Sequence, residues 1–396
     1  MLKDNFLLEL TKQYETPFYI YNGNVIEYKY KQLQNAFANC SNFQVNYAMK
    51  ALSSIAILKL MHQLGSCVDT VSIHEVKLAF LAGFNADEIF FTPNGTPFHE
   101  IKEAANLGVN ITLDNIIQIE QYAKLNVGNS IAIRINPNIK AGGNKKITVA
   151  KKKSKFGLSI SKVDKLHKLI KECGLQIHGF HIHLGSDILS IDSFKNSANV
   201  LFSIAKQFKN LKFINFGGGF KVKYKSDDDF ININEIGLQL TNAFNDFKVS
   251  YNNEHLKLII EPGKFLVSNS GLFLTEVTTI KDRNIFINSG FNHLIRPMYY
   301  DAYHHIRNIS NTKISTKKYH IVGYICEQDF FGKSRTLNKP HVGDIICIEN
   351  AGAYSFTMAS NYNSRLRPME LLHYNEETKI IRKKECFKDL VQNQIF

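Results

Sequence analysis

Residues 42–50 read NFQVNYAMK: an apolar run whose weight grows toward its end, closed by a lysine, Lys50. A run of this length between polar residues reads as a buried strand, and Lys50 then stands at its tip rather than on a wet face. The same layout recurs along the chain, in SCVDTVS (66–72), EIFFTPNG (88–95), VNITLDN (109–115), SIAIRINP (130–137), LQIHGFHIHLGS (175–186), LKFINFGGG (211–219) and LKLIIEPG (256–263). Helix-period segments such as SSIAILKLMHQLG (53–65) and TPFHEIKEAANLG (96–108) lie between them. Strands alternating with helices imply βα units and a parallel sheet. A doubly wound open sheet would read alike. The count of eight, with no G-x-G-x-x-G after the first strand, favours an α/β fold closed as a (β/α)8 TIM barrel. Each strand ends in a residue able to do chemistry: Lys50, Asp69, Asn94, Asp114, Arg134, His183, Gly217–Gly219 and Glu261. In such a barrel these ends share one mouth.

The texture changes after residue 268. Strand-like runs GLFLTEVTTI (271–280), RNIFINSG (283–290), KYHIVGYIC (318–326) and DIICIEN (344–350) follow one another without long helices. They predict a C-terminal antiparallel β-domain, which the early strand-like segment TPFYIYN (16–22) joins. The expected division is a barrel over 25–268 and a β-domain over 269–396 completed by segment 1–24.

Composition narrows the function. The chain has 396 residues, 44% of them hydrophobic, enough for a large core and two domains. No apolar run reaches the ~18 residues of a membrane span, and MLKDNFLLELTKQYETP (1–17) lacks the layout of a secretory signal. The six cysteines, Cys40, Cys67, Cys173, Cys326, Cys347 and Cys386, are scattered without a C-x-x-C pair. This argues against disulfides and a zinc site and for a reducing, cytoplasmic setting. The formal charge of +13 is spread along the chain, with one dense run at Lys151-Lys152-Lys153-Ser154-Lys155, so a solvated surface is expected and nucleic acid is not.

Three features at the strand ends carry chemistry. Gly217-Gly218-Gly219 after the seventh strand lets backbone N–H groups approach an anion, at the place where barrels of this kind hold phosphates. His181 and His183, two apart, share a face. With no third ligand evident, no metal is expected. His183 reads as a partner of a ring-shaped cofactor with Ser186 near its phosphate, and His181 as a core histidine. Glu261 at the mouth is costly unless paired, and a pyridinium N–H would justify it. Lysine, glycine cradle, histidine and glutamate together describe a pyridoxal 5'-phosphate site with Lys50 as its Schiff base.

VNYAMKAL (45–52), HIHLGS (181–186), NFGGGF (215–220) and EPGK (261–264) resemble the fold-type III pyridoxal-phosphate decarboxylases of the alanine-racemase-like barrel group. SKFG (154–157), IRPMYYDAYH (295–304), the Cys326-Glu327 pair, GAY (352–354) and SNYNSR (360–365) narrow the resemblance to diaminopimelate decarboxylases. It runs from about Thr16 to the end of the chain.

The resemblance implies roles. Lys50 holds the cofactor, His183 stacks on its ring and Glu261 pairs with the ring nitrogen. Ser186, Gly217, Gly218, Gly219, Gly263, Lys264 and Tyr354 surround the phosphate. Arg296, Tyr300, Glu327, Lys264 and Tyr354 bind the substrate, and Cys326 donates a proton. The implied reaction is decarboxylation of meso-2,6-diaminopimelate to L-lysine, the last step of lysine biosynthesis, in a homodimer whose Cys-Glu pairs reach the partner's site. Two departures stand out: Lys264 replaces the usual arginine, and Thr148-Val149-Ala150 lacks a usual glycine. Rival readings are decarboxylation of carboxynorspermidine, ornithine or lysine, an amino-acid racemase, and a non-catalytic homologue. Arg296 argues against the first. The Cys-Glu pair fits a racemase poorly. Lys50 and Cys326 are residues that a non-catalytic homologue would have lost.

Overall fold

A computed structural model of the chain describes residues 2–125, 130–139, 154–311, 313–314 and 317–395. Thr148-Val149-Ala150 and Lys151–Lys153, singled out above, lie outside the described residues. The chain divides into two compact units, one of Met1–Tyr28, Lys223–Asp228 and Leu266–Phe396, the other of Lys29–Val222 and Asp229–Phe265.

Strand β1 (Phe18–Asn22) belongs to the first unit; the second is the barrel. Its strands are β2 (Phe43–Ala48), β3 (Cys67–Thr70), β4 (Ile89–Phe91), β5 (Asn110–Leu113), β6 (Ser130–Asn136), the two-residue β7 (Leu158–Ser159), β8 (Gln176–His181), β9 (Phe213–Asn215) and β10 (Lys257–Ile260). They run in the order β5-β4-β3-β2-β10-β9-β8-β6, and β6 closes the ring on β5 through Thr112↔Ala132 and Leu113↔Ile133. Every pair is parallel, and β7 extends β6 outside the ring. The eight apolar runs of the sequence are the eight ring strands. Crossover helices such as Ile55–Gln63 and Ile73–Ala82 join them. The latter is bounded by local chemistry: the Ser72 side chain accepts the Glu75 N–H, and Gly83 ends it at φ 104°.

The lower barrel is plugged by Phe90, Ala132, Phe213 and Ile259. Gly179, on β8, faces this plug. A Cβ there would stand 2.5 Å from the Phe213 ring, so the absence of a side chain makes room for the aromatic one.

The first unit is a mainly antiparallel sheet. It contains β11 (Gly271–Lys281), β12 (Asn284–Ile287), β13 (Ile306–Asn308), β14 (Lys318–Val322), β15 (Phe330–Thr336), β16 (Ile345–Ile348), β17 (Met369–Tyr374) and β18 (Glu377–Arg382). The order is β15-β14-β12-β11-β1-β17-β18, with β16 between β11 and β13. The N-terminal strand β1 thus sits inside this sheet, antiparallel to β11 but parallel to β17; β12 and β14 are also parallel. Tyr21 and Arg382 both donate to the buried Glu370 carboxylate, at 2.6 and 2.5 Å. The division differs from the sequence expectation at Lys223–Asp228, which groups with this unit. There the Ser268 hydroxyl donates to Tyr224 Oη at 3.0 Å. Among the described residues no helix is long and apolar enough to cross a membrane.

Gly179→Ala should overfill the plug and lower stability by about 1–3 kcal/mol. Urea unfolding followed by circular dichroism would show it; an unchanged midpoint would mean that Phe213 has room to move.

Candidate active site

Register brings the chemistry to one arc of the barrel mouth. His181 pairs with Asn215 across β8 and β9, and Asn215 pairs with Ile259 across β9 and β10. Ile260 pairs with Val45 across β10 and β2, and Ala48 pairs with Asp69 across β2 and β3. Parallel strands in this register place His181, Asn215, Glu261, Lys50 and Asp69 at neighbouring strand ends.

Glu261 is 6% exposed. Asn215 Nδ2 donates to its Oε1 at 2.6 Å, and His181 Nε2 lies 3.1 Å from its Oε2. The His181 contact is close enough for an ion pair but off the line of a hydrogen bond, so neither buried ring nitrogen of His181 has a hydrogen-bond partner among the described residues. Burial pushes the Glu261 carboxyl up, but His181, Lys50 and Asn215 together outweigh it and bring the pKa down to about 2. The glutamate is therefore a buried anion at neutral pH. The histidine expected to be a satisfied core residue is instead its neighbour.

Lys50 follows β2 in a single 3-10 turn, Met49–Ala51. Its Nζ lies 3.0 Å from Asp69 Oδ2; the lysine side chain is 38% exposed and the aspartate 2%. Asp69 is raised above the usual carboxylate range by burial and by the charge of Glu261, with Lys50 and His181 pulling the other way. Its second oxygen, Oδ1, is buried without a hydrogen-bond partner among the described residues. Arg134, at the mouth from β6, is 8% exposed and lies 4.9 Å from the Phe156 ring centre. Burial pulls its guanidinium down from its ordinary value.

The glycine cradle is built by exclusion. A Cβ on Gly218 would stand 2.1 Å from the Glu261 carbonyl oxygen, and one on Gly219 2.1 Å from that of Gly185. Gly217 has φ +63°, which other residues rarely adopt. Two of its N–H groups are not aimed at an anion as expected, because side chains take them. Gly217 N–H donates to Asn215 Oδ1 at 2.8 Å and Gly218 N–H to His183 Nδ1 at 3.2 Å. Accepting at Nδ1 fixes neutral His183 as the Nε2–H tautomer. Burial, then Arg134 and Lys50, hold the imidazole well below its ordinary pKa, hence neutral. His183 lies beyond the end of β8, so it does not share a strand face with His181. Ser186 and Asp187 follow in the same loop, which is pinned by Ile188 N–H donating to Gly219 O at 3.0 Å. Lys264, placed with the anion ligands by the sequence, is bonded to Asp187.

In the other unit Arg296 is 7% exposed. Its guanidinium lies 5.5, 5.8 and 6.0 Å from the ring centres of Tyr224, Tyr300 and Tyr354, and its Nε is buried without a hydrogen-bond partner among the described residues. Three aromatic rings thus line the guanidinium within reach of cation–π attraction. Tyr354 holds φ +54°, uncommon for a non-glycine residue. Cys326 and Glu327 are exposed on the loop between β14 and β15. Cys326 N–H donates to Asn363 Oδ1 at 2.9 Å, and Tyr362 OH to Glu327 Oε1 at 3.0 Å.

Sequence reasoning missed Asn215, the pairing role of His181, and Asp187. Asn215 stood inside the quoted NFGGGF; an amide in an otherwise apolar strand was the signal available.

The pyridoxal binding domain of the pyridoxal-dependent decarboxylases matches residues 24–268. The diaminopimelate decarboxylase of Methanothermobacter thermautotrophicus is 33% identical over 400 residues, covering 98% of this chain and 93% of that one. That of Campylobacter jejuni is 33% identical, covering 97% of each. The crystal structure of Helicobacter pylori diaminopimelate decarboxylase complexed with L-lysine superposes with a TM-score of 0.90 at 32% identity over 98% of each chain.

His304, beside Arg296 in IRPMYYDAYH, generates a pH prediction. Its Nδ1 lies 2.8 Å from the Glu349 carbonyl, which can only accept, so Nδ1 carries the proton and the buried Nε2 is left without a hydrogen-bond partner among the described residues. Burial and then Arg296 hold its pKa down at about 3. The unfolded chain takes up a proton here near pH 6.5, and the folded one refuses it until about pH 3. Stability is therefore full above that window and falls as pH drops through it. His304→Gln should flatten the decline of the urea midpoint between pH 6.5 and 4. A decline as steep as in the parent protein would place the titrating groups elsewhere.

Proposed function

The chain belongs to the diaminopimelate decarboxylases, within the pyridoxal-dependent decarboxylase family, and on that premise we propose that it converts meso-2,6-diaminopimelate to L-lysine and carbon dioxide. The observation that carries the reading is Glu261: a buried carboxylate kept ionised at the end of β10, the strand paired with the one that leads into Lys50.

The barrel residues fit pyridoxal 5'-phosphate. A half-exposed amine, an ionised glutamate, a neutral imidazole and a cradle that excludes every Cβ are what that group needs. Lys50 Nζ would hold it covalently, Glu261 would face its ring nitrogen, and His183 its ring. Ser186, Gly219, Gly263 and Tyr354 would hold its phosphate. When bound, the cofactor accepts the electron pair released as the bond to the departing carboxylate breaks.

The chain's own residues do the rest. Glu261, ionised, keeps a proton on the group it faces. Asp69 holds the Lys50 ammonium in place and accepts from it. Arg296 binds the substrate carboxylate that is kept, and Tyr300 lies against it. Glu327, steadied by Tyr362, takes the distal ammonium. Cys326 Sγ returns a proton to Cα. A substrate held by a carboxylate and an ammonium at its far end carries an amino-acid group at both ends. The exposed position of Cys326 and Glu327 supports a homodimer in which each pair serves the partner's site, and a biosynthetic role supports a cytoplasmic location.

Incubation with meso-diaminopimelate should release carbon dioxide and lysine. A buried charge-assisted bond is worth ~1.5–3 kcal/mol, so Arg296→Ala should lower kcat/KM for diaminopimelate more than about tenfold. Slow turnover of lysine or ornithine, which lack the distal carboxylate, should hardly change. Equal losses on both substrate types would show that Arg296 does not read that carboxylate.

A further inference from the structure

Lys264 is the one place where the EPGK segment departs from the family's arginine, and the structure gives its ammonium a counter-ion. The side chain is 8% exposed and donates to Asp187 Oδ1; Asp187 is 29% exposed. Both residues belong to segments packed on the cradle: Gly218 lies against the Glu261 carbonyl, three residues before Lys264, and Gly219 against the Gly185 carbonyl, two before Asp187.

Asp187 is built into this position. It sits at φ +58°, in the left-handed region that aspartate tolerates better than most residues. The next residue, Ile188, bridges to Phe220 and donates its N–H to Gly219 O at 3.0 Å, so the turn is fastened to the cradle. A carboxylate fixed beside a site for anions would repel them. An ammonium fixed there would attract them. Joined, the two are neutral, and an arriving anion gains the charge of Lys264 only by sharing it with Asp187.

We propose that Asp187 is a specificity-determining residue that takes Lys264 out of anion binding, so that the barrel mouth binds its anionic ligand more weakly than a free cation would allow. The inference rests on the pyridoxal-phosphate decarboxylase reading. The anion is either the cofactor's phosphate or a carboxylate of the substrate, and the two are separable by experiment.

Titration calorimetry on wild type, Asp187→Asn, Lys264→Met and the double variant provides the test. One arm compares pyridoxal 5'-phosphate with pyridoxal on the apoprotein. The other adds pimelate, a dicarboxylate without amines, to cofactor-loaded protein. Asp187→Asn should bind pyridoxal 5'-phosphate or pimelate at least about threefold more tightly than wild type, and the arm that responds names the anion. The gain should vanish when Lys264→Met is added. Asp187→Gly is the second charge-removing variant, because glycine adopts φ +58° without strain. Unchanged or weaker binding in both arms by a folded Asp187 variant overturns the proposal, as does a gain that survives loss of Lys264. Wild type that fails to prefer pyridoxal 5'-phosphate over pyridoxal would instead overturn the cofactor reading beneath it.

Discussion

A carboxylate with 6% of its surface exposed has to be supplied with partners before the barrel can close around it, and Glu261 draws on two neighbouring strands for them. Asn215 is supplied by β9 and His181 by β8, both in register with the end of β10. Breaking a buried pair by removing one member costs several kcal/mol, about 3–5 in typical cases, because a charge is left uncompensated. The register of these strands is therefore fixed by electrostatics at the mouth as well as by packing at the plug. The same registration carries β2 and β3 along, which is how Lys50 and Asp69 come to complete the arc.

Polar side chains at this mouth serve one another before they serve a ligand. Asn215 bonds both Glu261 and Gly217, and His183 takes the N–H of Gly218. Each such bond favours one charge state or tautomer: an ionised glutamate, and a neutral imidazole with its proton on Nε2. In the β-domain the logic is similar. Asn363 and Tyr362 hold Cys326 and Glu327 by backbone and carboxylate, on a loop otherwise open to solvent.

Much of this was legible in the sequence because it depends on residue type and order. Eight apolar runs, each ending in a reactive or small residue, already contain the barrel and its mouth. Lys50, Glu261, His183 and the glycines announce themselves because lysine, glutamate and three glycines in a row are out of place at buried strand ends. What could not be read depends on pairing across distance. Asn215 matters because it meets Glu261, 46 residues on. Lys264 changes meaning because Asp187, 77 residues away, takes its charge. Lys223–Asp228 leaves the barrel through Tyr224 and Ser268, a contact that no local pattern encodes. Periodicity reports which face is buried; it is silent on which side chains share a charge.

In the proposed function, Lys50, at the end of the first barrel strand, holds the cofactor. The most direct measurement of this role is borohydride reduction of the protein loaded with pyridoxal 5'-phosphate, followed by proteolysis and mass spectrometry of the labelled peptide. The visible absorbance band should be lost and a single phosphopyridoxyl label should appear on Lys50. A label on another lysine, or none on a protein shown to have bound the cofactor, would contradict that role.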